Sequence, residues 1–180
     1  METATTFFSL LALVANGGVI LWVVAVAGGE RTRQLRGSLE ASVGPYALML
    51  GLVVAAVATG GSLYYSESAG LIPCELCWYQ RIAMYPLVAI FGVGLWKKES
   101  ATWRFVLPLT LIGLGIAGYH YLIQRVPSLD AGTCSASVPC SSAYFFEFGF
   151  ISMPYMAISA FAAIVALWWI SLGSNRADSP

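Results

Sequence analysis

The chain contains five apolar runs, each long enough to cross a lipid bilayer, and this recurrence constrains its fold more than any single motif does. A bilayer core requires about 20 apolar residues per helix, and in hydrocarbon each backbone N–H and C=O must find its partner within the protein. Such runs therefore fold as helices. They are Thr5 to Ala27, Pro45 to Tyr65, Cys77 to Trp96, Trp103 to Ile123 and Gly149 to Leu172. Composition agrees, since 58% of the residues are hydrophobic and 10% charged, too little polar surface for a water-soluble domain of this length. The expected fold class is an all-α integral membrane protein with five spans. The formal net charge is zero and the chain has no polybasic tail or Gly-rich phosphate loop, so no nucleic-acid partner is expected.

A secretory signal peptide is the rival reading of the first run, because Ala25-Val26-Ala27 resembles a cleavage site. The run is long for that purpose and follows Glu2 instead of a basic cluster, so a retained span is expected. Inside it, Asn16, Gly17 and Gly18 are expected to form a helix-packing contact with one interhelical hydrogen bond. Glu30 to Ser42, with Arg31, Arg33 and Arg36, reads as a short amphipathic linker. Tyr64 and Tyr65 suit one interfacial aromatic belt, and Trp168 and Trp169 the far one. Pro108 is expected to kink the fourth span, while Gly113, Gly115 and Gly118 would admit a neighbouring helix. Ser174 to Pro180 reads as a short polar tail.

Orientation follows from counting basic residues. Arg31, Arg33, Arg36, Lys97, Lys98, Arg104 and Arg176 fall on one side, and Arg81 and Arg125 on the other, a positive-inside asymmetry. The expected topology in the cell membrane has the N-terminus outside, the C-terminus in the cytoplasm and both cysteine-bearing loops outside. Cleavage after Ala27 would invert it.

All four cysteines fall in those external loops, which suits an oxidising compartment. Pro73 to Arg81 reads Pro-Cys-Glu-Leu-Cys-Trp-Tyr-Gln-Arg, a C-x-x-C pair where the third span opens. If the helix begins near Cys77, Cys77 and Arg81 share a face, and a helix N-terminus with a guanidinium nearby favours a thiolate. A redox pair at Cys74 and Cys77 is expected, since so small a ring constrains little chain as a staple. Cys134 and Cys140 lie in Cys-Ser-Ala-Ser-Val-Pro-Cys, and a plain structural staple is an equal reading there. Four cysteines permit three pairings, among which spacing does not choose. No metal is expected, because the second pair lacks C-x-x-C spacing and neither loop holds a histidine. Arg81 would either snorkel to outer headgroups or hold a polar ligand atom in an apolar pocket. His120 and Gln124, four residues apart at the outer end of the fourth span, would either share that pocket or, for His120, serve as a hydrogen-bonded packing residue. Glu147 reads as an interfacial residue.

Cys-Glu-Leu-Cys-Trp-Tyr-Gln-Arg, the Tyr-His-Tyr-Leu-Ile-Gln ending the fourth span, Val-Pro-Cys and Phe-Gly-Phe-Ile-Ser-Met-Pro together resemble the DsbB family, especially its BdbC-like branch. The resemblance covers about Pro45 to Leu172 and implies a membrane thiol:quinone oxidoreductase built on a four-helix bundle. The chain divides accordingly into 1–43, an extra N-terminal helix with its linker, 44–173, the four-helix domain, and 174–180, the cytoplasmic tail. The implied partner is a DsbA-like thioredoxin-fold dithiol oxidase, and the implied acceptor a membrane quinone, ubiquinone or menaquinone. A DsbA-type donor, at about −120 mV, needs an acceptor that drains electrons efficiently, as quinone does. The resemblance further implies that Cys134, paired with Cys140, meets the partner, that Cys74 exchanges with Cys140, and that Cys77 faces the quinone. By the same resemblance Arg81 holds a quinone oxygen and His120 lies on the quinone side.

Two rivals differ in class. A vitamin K epoxide reductase-like enzyme is expected to carry its loop pair before the C-x-x-C, the reverse of the order here. A membrane scaffold with stapled loops would keep both pairs oxidised and never exchange them.

Overall fold

In the computed structural model, which describes residues 1–132, 134–135 and 138–177, the chain is helical nearly throughout. The helices are α1 (Glu2–Ala27), α2 (Arg33–Val43), α3 (Ala47–Leu63), α4 (Glu75–Lys97), α5 (Trp103–Arg125) and α6 (Met153–Ala177). Five helical stretches are long and apolar enough to span a membrane: α1, the stretch from Gly29 to Ser68 that includes α2 and α3, α4, α5 and α6. Among the described residues the β pairing is limited to an isolated bridge between Glu147 and Ile151.

Helices α3 to α6 form the central bundle. Ala55 of α3, Leu87 and Phe91 of α4, Val106 of α5 and Phe161 and Ile164 of α6 are buried together at its centre. Lipid tails are as apolar as these side chains, so association depends on close shape matching more than on escape from solvent. Two glycines supply the match. A Cβ at Gly51 would enter the Phe91 ring, and one at Gly113 would enter the Phe161 ring. Of the three glycines expected to admit a neighbour on α5, Gly113 does so, whereas Gly115 and Gly118 face open space. Pro86 and Pro108 lie inside α4 and α5 without ending either helix.

Helix α1 lies outside this bundle, along α6. Its docking face carries Thr5, Ser9 and Ala12, all buried. Asn16 Nδ2 donates to Tyr155 Oη at 2.9 Å, the interhelical hydrogen bond expected of it, while Gly17 and Gly18 approach nothing. Nearer the N-terminus of α1, Thr6 Oγ1 donates to Glu147 Oε1 at 2.8 Å. Phe8 rests on Tyr65, ring centroids 5.8 Å apart, and Phe145 closes on Tyr65 from another side. Tyr65 is therefore 6% exposed and not free for an aromatic belt, because α1 and the second loop cover it.

The amphipathic stretch after α1 is helical from Arg33 to Val43. Arg36 Nε donates to Glu40 Oε1 four residues on, at 2.7 Å, and α2 packs against α6. Helix α6 starts at Met153, later than the expected Gly149, since Phe148 and Gly149 take positive φ values of 51° and 79° and turn the chain into the Glu147–Ile151 bridge. Pro154 then falls in the first helical turn, where a missing N–H is tolerated. At the other end α6 continues through Ala177, so the expected tail from Ser174 is largely helix; Asp178 to Pro180 lie outside the described residues.

Gly113→Ala is predicted to destabilise the bundle by about 1–3 kcal/mol through overpacking against Phe161. Thermal unfolding in detergent should show a lowered midpoint for that variant and none for Gly115→Ala. Equal midpoints would contradict the glycine-to-ring contact.

Candidate functional site

Cys74 occupies the N-cap of α4 in an extended conformation, with ψ of 173°. The sequence predicts a helix start near Cys77; the helix starts at Glu75, because the Cys74 carbonyl already accepts from the Trp78 N–H at 3.1 Å. Cys74 therefore stands at the lip of the helix and Cys77 in its first turn. Their sulfurs are 3.1 Å apart as free thiols, Cys74 buried and Cys77 half-buried.

Cys134 and Cys140 are joined in a disulfide, with Cα atoms 5.8 Å apart. This is the pairing the resemblance implies. Cys140 is fully buried and Cys134 half-buried, so the two sulfurs differ in access. Cys140 shares a small apolar cluster with Cys74, Leu76 and Ile123. Tyr144 Oη donates to the Ile72 carbonyl at 2.7 Å and ties the second loop to the first. Thr133, Ala136 and Ser137 of the Cys-Ser-Ala-Ser-Val-Pro-Cys loop lie outside the described residues.

His120 reaches both pairs. Its Nε2 lies 3.2 Å from the Cys140 carbonyl and 3.7 Å from Cys74 Sγ, and its Nδ1 lies 2.9 Å from Gln80 Nε2. A carbonyl can only accept, so Nε2 carries the proton and Nδ1 accepts from the Gln80 amide. The imidazole thus donates toward the sulfur of one pair and the backbone of the other. Gln80, buried on α4, fixes this tautomer. Spacing did not single out Gln80, although a glutamine inside a span needs a polar partner and its identity alone was a signal.

A hydrogen bond from the Cys77 thiol, joined by the contact with His120, holds the Cys74 thiol far below the ordinary thiol range, at about 4, against the upward push of burial. The sequence favours a thiolate at Cys77 beside Arg81; in this dithiol form the contacts with Cys77 and His120 also lower the Cys74 thiol. Arg81 is engaged elsewhere. Its Nε donates to Ser62 Oγ and its Nη2 to the Ser62 carbonyl, both at 3.0 Å, and its guanidinium lies 5.2 Å from the Trp78 ring centroid. The side chain turns across to α3 instead of snorkelling outward. Tyr85 Oη also donates to Ser62 Oγ, at 3.1 Å.

Two cavities meet at Cys77. One, of about 380 Å³, is mostly apolar and holds Arg81, Gln80, Ser62 and Tyr85 near Cys77. The other, of about 260 Å³, lies under the second loop and is lined by Cys74, Cys77, His120, Gln124 and Ser152. The expected common pocket for Arg81, His120 and Gln124 is thus split in two, with Cys77 shared. Gln124 Oε1 accepts from Ser152 Oγ at 2.7 Å at the start of α6. Cys74, Cys77 and His120 also bring three metal-competent donor atoms within 4.8 Å of one another, the histidine coming from a helix and not from a loop. Glu147 accepts from Thr6 in its turn, a structural contact.

A helical membrane bundle with a dithiol and a disulfide side by side at one end defines a membrane thiol–disulfide centre. The model of the family described as "Disulfide bond formation protein DsbB" matches residues 45–171. Disulfide bond formation protein C of Bacillus subtilis (strain 168) is 48% identical over 124 residues, covering 68% of this chain and 90% of that protein. A probable disulfide formation protein of Oceanobacillus iheyensis is 50% identical over 125 residues, covering 67% and 84% respectively. Probable disulfide formation protein C 2 of Bacillus anthracis is 41% identical over 126 residues, covering 70% and 90%. No solved structure gives a significant match. The chain belongs to the DsbB family, and so to the membrane disulfide oxidoreductases.

The ionisation argument predicts that alkylation of Cys74 in the dithiol form, mapped by mass spectrometry, stays fast across the neutral range and slows as pH falls through about 4. His120→Ala should move that midpoint upward. A wild-type midpoint in the ordinary thiol range, about 8.5, would contradict the assignment.

Proposed function

We propose that the chain reoxidises the dithiol of an extracytoplasmic, DsbA-like thioredoxin-fold partner and passes the electrons through its two cysteine pairs to a membrane quinone. The observation that carries this reading is the position of Cys77, shared between the cavity beneath the disulfide loop and the apolar cavity that holds Arg81.

The steps follow from access and charge. A thiolate of the partner attacks Cys134, the more accessible sulfur of the disulfide, and Cys140 leaves as thiolate. The partner's second thiolate attacks its own sulfur in the mixed disulfide, releasing the oxidised partner and Cys134. Cys140, held beside Cys74 through His120, then attacks Cys74 of an oxidised Cys74–Cys77 pair and Cys77 leaves. Cys134 resolves the Cys74–Cys140 disulfide, restoring Cys134–Cys140 and leaving Cys74 and Cys77 as a dithiol. This is the redox arrangement of the described structure. Finally the dithiol gives two electrons and two protons to the quinone, which becomes hydroquinone as the Cys74–Cys77 bond closes. The low pKa of Cys74 makes it the nucleophile for that closure.

The acceptor fits the larger cavity chemically. Its volume suits a ring-sized ligand, its lining is apolar, and Arg81 brings a charged donor whose Nη1 has no partner among the described residues. The positive-inside count supports placing both cysteine loops outside the cell membrane and the C-terminus in the cytoplasm.

Purified protein supplied with a reduced thioredoxin-fold dithiol is predicted to bleach quinone absorbance, and Cys77→Ser to abolish this. Arg81→Ala should raise the KM for quinone by about tenfold or more, the cost of one lost charged hydrogen bond, with the KM for the protein dithiol unchanged. Unchanged quinone kinetics would remove Arg81 from the acceptor site.

A further inference from the structure

The family match covers residues 45–171, so α1 precedes it. Yet α1 is fixed in a defined register. Two polar contacts, Thr6 to Glu147 and Asn16 to Tyr155, hold it at heights about 15 Å apart along the helix. Anchors of that kind inside a span specify one docking arrangement. The face they present next to α3 is apolar. Phe8, Leu11, Ala12 and Ala15 recur at i, i+3, i+4 and i+7, and all four line the cavity that contains Cys77 and Arg81. Across from them stand Val53, Val54 and Val57 of α3.

The cavity is thus a slot between α1 and α3. Its outer end holds Cys77, Arg81 and Ser62, and Phe8 closes that end against Gly61 and Tyr65. From Phe8 to Ala15 it extends about 10 Å down the helix. At its rim Val14, 73% exposed, and Val53 face outward where lipid would lie. A polar, redox-active head and a long apolar trough open toward lipid match a ring bearing a hydrocarbon tail.

We infer that α1 is a wall of the acceptor site: the Phe8, Leu11 and Ala15 face holds the hydrocarbon tail of the quinone while α4 holds its ring. This rests on the quinone reading above. Without α1, one side of the slot is missing and the tail lies in bulk lipid. The electron balance is that of the proposed reaction, with Cys74 and Cys77 losing two electrons and two protons to the quinone as their disulfide forms. What α1 adds is selection among acceptors by tail.

The test compares two quinones sharing one ring, one with a long isoprenoid tail and one without a tail, on the full chain in detergent. Ala15→Trp should raise the KM for the tailed quinone by about tenfold, and leave the tailless quinone and the protein dithiol at wild-type values. Ile20→Trp, on an exposed part of α1 outside the slot, should change none of the three. A photoreactive tailed quinone should label the peptide spanning residues 8–15 in the unsubstituted protein, which keeps the test independent of how Ala15→Trp folds. If the wild type reduces no quinone at all, the quinone reading falls and the inference with it. If it reduces quinone but Ala15→Trp matches wild type, or the label falls on α4 and never on α1, the inference alone is overturned.

Discussion

The site depends on one imidazole. His120 on α5 donates from Nε2 to the carbonyl of Cys140, with Cys74 Sγ in reach of the same proton, and accepts at Nδ1 from Gln80 of α4. That arrangement sets a loop backbone, a helix N-cap and two bundle helices at fixed spacing. Because the histidine is buried, leaving Nε2 or the Cys140 carbonyl unpaired would carry the full desolvation penalty. The second loop is irregular chain, and such a segment keeps a reactive geometry only where polar contacts pin it. Here the pins include His120 at Cys140, Tyr144 at Ile72 and Arg125 at Gly149.

The bilayer explains the rest of the layout. Within hydrocarbon only helices satisfy their own backbone, so irregular backbone is confined to the ends of the bundle. Protein thiols arrive through water, whereas a lipid-soluble acceptor arrives from the side. A pair at the lip of a helix, one sulfur under the loop and one facing an apolar cavity, serves both routes in the proposed relay. Arg81 sits where a charge is tolerable, satisfied by Ser62 and stacked over Trp78. Helix α1 lines the apolar side of this site, and the contacts of Thr6 and Asn16 tie it to the rest of the protein.

Much of this was legible in the chain. Hydrophobic run length gave the five spans, because the bilayer leaves few alternatives, and the polar Asn16 inside the first run announced an interhelical hydrogen bond that Tyr155 supplies. What could not be read depends on partners distant in sequence. Arg81 and Cys77 are four residues apart, which suggests mutual influence, but Ser62 lies nineteen residues before Arg81 and engages its Nε and Nη2. His120 and Gln124 share a helix face with each other, not with Arg81, so the single pocket that their common depth suggested became two. The start of α6 was hidden because Phe148, a residue ill-suited to positive φ, adopts it. Gly115 and Gly118 look like Gly113, and only the location of Phe161 distinguishes them.

The central claim is that electrons cross between the pairs through Cys74 and Cys140. Removing Cys77 and Cys134 together leaves those two sulfurs as the remaining thiols of the chain. Mass spectrometry of the mildly oxidised Cys77→Ser, Cys134→Ser protein under non-reducing conditions is the most direct test. The account predicts a nearly quantitative intrachain Cys74–Cys140 disulfide. Two free thiols, or disulfides formed only between chains, would contradict it.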